Sequence, residues 1–327
     1  MHRGFKHIFA TAAALTLVAP MSMAADFKPE EDITGYDHTR WGIEEDCLIA
    51  TFNAYTSCFD NEDDDDGDGT ADRLGVPEWV AYEIKAYDGT CIPTKERPST
   101  WISDPSLVKK KLMPKDNSYA TTKTFLETHK NWFERGHLLP KLIAARVGEA
   151  EEWNSHAMYN AVPQRSTFNA PIWFDLEELT GTWAQTYGSV WVITGPVFAD
   201  RYAIAHLGDA GEIPVAIPDA LYKIVIREGE SDDKPEVLAF VYPQVGAGYI
   251  DTAKQGYDHS RYATNVDEIE ALTGIDFFTA LSETAQKRIE AQVNREIWPY
   301  HADDMLTGCS DPEKIELPRP RPSFAPS

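Results

Sequence analysis

His137, the amides Asn160, Gln164 and Asn169, and the carboxylates Glu134 and Glu177 fall within one short stretch of the chain. A neutral imidazole can take a proton near neutral pH, because its unperturbed pKa is close to 6.5. Amide oxygens and carboxylates are hard ligands suited to Mg²⁺ or Ca²⁺. Together they are the parts needed to hold a hard divalent cation and activate a water. Mg²⁺ keeps most of its own waters, so a single direct protein ligand is chemically sufficient. Taken one at a time these residues say little; a lone histidine is more often packed or surface-exposed than reactive. Their order and spacing carry the reading.

The elements that must position them are partly legible. Residues 132–137 read as the end of a strand, with Gly136 allowing close backbone approach. Residues 141–146 could make a short helix, and 157–162 the paired strand or its exit. The clearest local pattern follows Asn169. Pro171 suits a first helical turn, and Ile172, Leu176, Leu179 and Trp183 recur at helical spacing to give a buried face. Asn169, Trp173 and Glu177 lie four apart on another face, so an amide and a carboxylate can look into one pocket, with Trp173 packing between them. Strands are expected at 79–86, 190–194, 221–227 and 236–243, a loop at 94–107, and helices at 266–272 and 279–293.

Glu134-Arg135-Gly136-His137, Asn160, Gln164, Phe168-Asn169, Trp173 and Leu176-Glu177, in that order, resemble the signature of the DNA/RNA non-specific endonucleases, the ββα-metal nucleases. That signature is Asp-Arg-Gly-His, then Asn and Gln, then Phe-Asn-x-x-x-Trp and Leu-Glu. The segments 76–82, 192–198, 217–223 and 269–278 resemble the family's outlying strands and late helix, so the likeness covers roughly 76–280. Two positions depart. Glu134 stands where the family has Asp, and Gly181 stands where its helix often carries an arginine.

The resemblance implies an α+β chain with the ββα-metal nuclease fold, a central, mostly antiparallel sheet flanked by helices. It implies His137 as general base and Asn169 as the direct ligand of Mg²⁺ (or Mn²⁺). Glu177 would hold the ion's waters, and Glu134 would do the same or orient His137. Asn160 and Gln164 would position the loop or the phosphate. Arg135 falls in the catalytic motif, and Arg97, ahead of Asp104-Pro105, would contact phosphate. Arg135 or Arg165 could substitute for the arginine missing at 181. The expected activity is cleavage of DNA and RNA alike to 5′-phosphate ends, since contact through backbone phosphates reads little sequence. The alternative is a nucleic-acid-binding protein on the same scaffold without turnover, motivated by the departures at Glu134 and Gly181.

Charge looks adverse to such substrates. The 327 residues carry a net charge of -23, and phosphate binding needs positive charge. The charge is uneven, however: from Lys109 to Arg165 ten bases face six acids, a balance of +4. The acidity concentrates at 60–72. There Asp64, Asp66, Asp68 and Gly69 fit the opening of an EF-hand-like loop, with Asp72 at the ninth position but Gly75 where a bidentate Glu belongs. Such a loop could hold a structural Ca²⁺, or be an acidic turn. It also prompts a third reading, a calcium-dependent extracellular module, which leaves the central motifs unexplained.

Arg3 and Lys6, the apolar run 8–18 and Ser22-Met23-Ala24 have the layout of a bacterial-type signal peptide, so the mature chain is expected in the periplasm or outside the cell. Past it, no apolar run is long enough to cross a bilayer. The four cysteines all follow it, and an even count in an exported chain favours disulfides. Of three possible pairings, Cys47 with Cys58 and Cys91 with Cys309 is the one expected. The chain thus divides into a signal peptide (1–24), an arm with the acidic loop (25–75), a nuclease domain (76–309) and a Pro-rich tail (310–327).

Overall fold

The computed structural model describes residues 35–44, 46–60, 74–120, 132–199, 203–244 and 257–309. The signal peptide, the acidic loop with Asp64, Asp66, Asp68 and Asp72, and the Pro-rich tail lie outside the described residues.

Seven strands form one sheet: β1 (Leu48–Thr51), β2 (Thr56–Phe59), β3 (Pro77–Lys85), β6 (Ser189–Val197), β9 (Ala220–Arg227), β10 (Glu236–Pro243) and β11 (Ala263–Thr264). They lie side by side in that order, and every ladder is antiparallel. β1 and β2 continue the sheet past β3, so residues 48–59 share it with the region expected to begin at 76. A second pair, β4 (Phe133–His137) with β5 (Ala161–Arg165), stands apart from the sheet, as does the short pair β7 (His206–Leu207) with β8 (Val215–Ala216).

The central strands are apolar on both sides because both sheet faces are covered. Side chains alternate across a strand. One side of the sheet, with Val80, Tyr82, Val192, Leu221, Val225 and Phe240, packs against the β4–β5 pair and α4 (Phe174–Tyr187). The other, with Trp79, Trp191, Ile193, Tyr222 and Ile224, packs against α5 (Val266–Thr273) and α6 (Glu283–Glu290). Trp41 and Ile43 enter this second core. The part of the arm described from residue 35 is therefore packed, not merely extended.

Local signals explain most elements. Asp104 caps α1 (Pro105–Lys110), its carboxylate accepting from the Ser106 and Leu107 amides at 2.7 and 3.4 Å. The stretch expected as a loop to 107 thus already turns helical at the Asp-Pro pair, where Pro105 has no amide to lose. The expected helix 279–293 is shorter. Ser282 caps it from outside, and the Ala280 amide is bonded to Trp41 O at 3.1 Å, which holds 279–281 in a turn. The strand expected at 157–162 begins at Ala161, after a 3₁₀ turn over Met158–Asn160. Disulfides join Cys47 to Cys58, across β1 and β2, and Cys91 to Cys309. Among the described residues no helix is long and apolar enough to cross a membrane.

Candidate active site

β4 and β5 pair with His137 opposite Ala161 and Glu134 opposite Gln164. Between them run α2 (Lys141–Val147) and α3 (Glu149–Asn154). Gly136 is required here, since a Cβ would stand 2.1 Å from Gln164 Cδ. His137, at the end of β4, is 9% exposed. Its ring lies 4.5 Å from that of Trp101 and 4.9 Å from that of His156, centroid to centroid. Burial pushes its pKa well below the usual histidine value, and the charges of His156, Arg97 and Lys141 push it the same way. The imidazole is therefore neutral, and its Nε2 has no hydrogen-bond partner among the described residues.

β5 leads through a helical turn, Ser166–Phe168, into a π-helical turn, Asn169–Trp173, and then into α4. Pro171 offers no amide to a regular ladder, and the Phe174 amide is shared between Asn169 O and Pro171 O. This irregular entry carries Asn169. Its Nδ2 donates to Glu134 Oε2 at 2.8 Å, which leaves the amide oxygen available. One turn beyond Trp173, Glu177 lies half-buried on α4. Burial raises its pKa, while Lys223, reaching over from β9, and Arg97 lower it. Lys223 is fully buried, its Nζ 4.2 Å from the Trp173 ring centroid and without a hydrogen-bond partner. Burial lowers its pKa and Glu177 opposes that shift. The charge of Arg97 acts on His137, His156 and Glu177 alike, and the Asn169–Glu134 bond ties the entry of α4 to the strand that ends at His137.

An outward amide oxygen beside a carboxylate makes a hard, oxygen-rich corner, and the neighbouring imidazole is in the form that accepts a proton. The family model for the DNA/RNA non-specific endonucleases matches residues 45–284. The chain belongs to that family. It is 27% identical over 222 residues to a nuclease of Serratia marcescens, a match covering 65% of this chain and 73% of that one. It is 28% identical over 163 residues to the mitochondrial nuclease EXOG of Danio rerio, a match covering 47% of this chain and 45% of that protein. The fold resembles a chain of the solved EndoG/EndoGI complex, with a TM-score of 0.55 at 19% identity, covering 76% of this chain and 92% of that one. The architecture is thus the ββα-metal nuclease fold.

Within this family frame, some expected residues sit elsewhere. Asn160 does not face the opening. Fully buried, its Oδ1 accepts from the Leu139 amide at 2.6 Å, and its Nδ2 donates to Leu139 O at 2.9 Å and Ser155 O at 2.8 Å. It braces the chain just beyond His137 with both amide N–H groups and one lone pair of Oδ1. Gln164 is also buried, but neither its Oε1 nor its Nε2 has a partner among the described residues. Arg135 forms an ion pair with Asp116 at 2.8 Å. Arg165 stacks over Phe133, 5.2 Å from the ring centroid. Neither fills the place left by Gly181. The guanidinium there belongs to Arg146 of α2, whose Nη2 bonds Gly181 O at 3.0 Å and would stand 2.8 Å from any Cβ at that position. Arg97 is exposed, with its charge felt across the opening.

Sequence reasoning missed Lys223, Trp101 and His156. The signal for Lys223 was present: in the strand 221–227 it shares a face with Leu221 and Val225, so a lysine points inward from a strand covered on both sides.

Proposed function

We propose that the chain is an exported, Mg²⁺-dependent endonuclease that hydrolyses phosphodiester bonds of DNA and RNA with little regard to sequence. The observation that carries this reading is the Asn169–Glu134 hydrogen bond beside a neutral, partly orphaned His137. Glu134 takes the amide N–H, so the amide oxygen of Asn169 is directed away as a ligand. The extra methylene of Glu134 relative to the family's Asp still permits a 2.8 Å bond, which argues against the non-catalytic alternative. Asn169 would hold the divalent cation directly, and Glu177 would hold its hydration shell. The cation, when bound, supplies positive charge against the scissile phosphate and the departing oxygen.

The chain's own residues do the rest. His137 takes the proton from the attacking water as its oxygen bonds to phosphorus; the bond to the 3′ oxygen breaks, that oxygen takes a proton from solvent, and His137 returns its own to solvent. One water is consumed per cut, leaving a 5′-phosphate and a 3′-hydroxyl. Trp101 and His156 flank the imidazole and fix its orientation. Arg97 attracts the phosphate. Lys223 offsets the cost of ionising half-buried Glu177. Two disulfides and the leader-like N-terminus support export.

The test is digestion of plasmid DNA and of a structured RNA with Mg²⁺, with Mn²⁺, with Ca²⁺ alone and with EDTA. Both polymers should be cut with Mg²⁺ or Mn²⁺ and spared by EDTA. The fragments should accept a 5′ label from polynucleotide kinase only after phosphatase treatment. Intact polymers under every condition would overturn the reading; labelling without phosphatase would overturn the 5′-phosphate assignment.

A further inference from the structure

A cleft of about 540 Å³ opens between the chain at Lys95, Glu96 and Pro98 and the helix α3, and His156 forms part of its wall. The same His156 ring packs against His137, so the cleft and the reacting centre share a partition. Trp153 lines the cleft and is 39% exposed, one of few large apolar side chains so placed among the described residues. The cleft's two lysines are already matched. Lys95 pairs with Glu149 at 3.3 Å and Lys141 with Glu152 at 2.9 Å, while Glu96 adds a further acid. A phosphate would find no free cation here. A flat, neutral ring would find an aromatic face, because base stacking on aromatic side chains needs no charge and tolerates any base.

His156 adds a polar complement. Its Nδ1 lies 3.1 Å from Glu152 O, a carbonyl that can only accept, so Nδ1 carries the proton and Nε2 is left as an acceptor. Burial lowers its pKa to about 4, which keeps that lone pair free, and Nε2 has no partner among the described residues. A buried acceptor without a donor calls for an explanation, and every nucleobase other than an alkylated one carries an N–H. Arg97 is exposed and lies in the chain between Glu96 and Pro98, both of which line the cleft. A phosphate drawn to Arg97 therefore places the adjoining nucleoside at the mouth of this cleft.

We propose that the cleft is a nucleobase subsite. It takes the base flanking the scissile phosphate, stacked on Trp153 with its polar edge toward His156. This rests on the nuclease reading and names a part of the substrate that reading leaves free. It grips the strand without choosing among bases.

The test compares cleavage of a single-stranded oligonucleotide with that of the same backbone built wholly of abasic residues, a polymer of diesters with no base or aromatic ring to stack, by wild type, Trp153→Ala and Trp153→Phe with Mg²⁺. In Trp153→Ala the ratio of the two rates should fall about tenfold, chiefly through KM for the oligonucleotide. Trp153→Phe keeps a ring and should hold the ratio within about twofold. A single abasic residue beside the cleaved bond should slow wild type about tenfold and add nothing in Trp153→Ala. An unchanged ratio in Trp153→Ala, or a full abasic penalty in that variant, would overturn the subsite and leave the nuclease reading standing. Wild type that cleaves neither compound would overturn the nuclease reading, and the subsite with it.

Discussion

His38 and His137 are both buried imidazoles, and their surroundings differ. At His38, beside the edge of β3, Nδ1 accepts from the Glu83 amide at 3.0 Å and Nε2 bonds Asn53 O at 3.1 Å. His259 is likewise held at both nitrogens, by Tyr242 and by Asp175, each at 2.9 Å. At the opening between β4 and α4, His137 and His156 each leave Nε2 without a partner. So do Gln164, at both amide atoms, and Lys223, on the same side of the sheet. Of the other such atoms among the described residues, those on Arg146 and Arg165 lie on this same side, on α2 and β5, and those on Trp41 and Glu290 lie on the other. Buried polar groups are normally satisfied, since an orphaned one costs about 1–3 kcal/mol. A cluster of them in one place is what a site looks like when its substrate and ion supply the missing partners. A bonded imidazole holds the fold; an imidazole with a spare lone pair can move a proton.

If that division is real, substitutions on the two sides should fail in different ways. The largest effect is expected at His137. His137→Gln, which keeps most of the ring's volume, should lower Mg²⁺-dependent cleavage by about 10²–10⁴-fold while the melting temperature stays within about 2 °C, because Nε2 makes no hydrogen bond to lose. Parallel losses of activity and stability would break the comparison at its strongest point. Next is Ile269→Ala on α5, buried in the core on the opposite face. It should cost about 2–5 kcal/mol in urea unfolding, with cleavage per folded molecule unchanged.

The third prediction concerns acid. Burial lowers the His38 pKa to about 4, against 6.5 for an ordinary histidine. Its native pKa lies below its unfolded one, so the unfolded chain binds the proton first. The stability is fully present above pH 6.5 and is lost as pH falls toward 4, by about 3 kcal/mol. His38→Gln should flatten that part of the pH–stability curve, and an unaltered slope would remove His38 from the account. The smallest effect is at Glu134. Glu134→Ala releases the Asn169 amide to rotate, and should raise the Mg²⁺ concentration for half-maximal cleavage about 10–100-fold. An unchanged requirement would mean the amide is held by something else.

Much of this architecture could be read from the residues. The Ile172, Leu176, Leu179, Trp183 stripe is buried as its spacing implies, and strand 236–243 falls where its alternation placed it. Both disulfides join the expected cysteines. What escaped was set by contacts distant in sequence. Nothing near Asn160 announces that its amide will be consumed by Leu139 and Ser155, since that depends on how the chain returns after α3. Gly181 reads as a missing arginine, until α2 brings Arg146 across to occupy the space. The helix expected from Thr279 loses its first turn to Trp41, a residue far earlier in the chain. Lys223 left a signal, a lysine on the apolar face of its strand, but what it meets needed the sheet order, which places β9 centrally with α4 above it.

The most direct test of the division is one double variant, Glu177→Gln with Lys223→Met, unfolded in urea and assayed for cleavage from the same preparation. It removes a half-buried carboxylate and the buried ammonium whose charge acts on it, with little change in their bulk. Burying a charge pair is seldom a net gain, and apolar or neutral replacements of similar volume often stabilise by about 1–4 kcal/mol. The predicted result is a protein as stable as wild type or more so, with cleavage reduced at least about a hundredfold. A variant that unfolds at lower urea, or that still cuts at the wild-type rate, would contradict the claim that these charges are kept for the reaction.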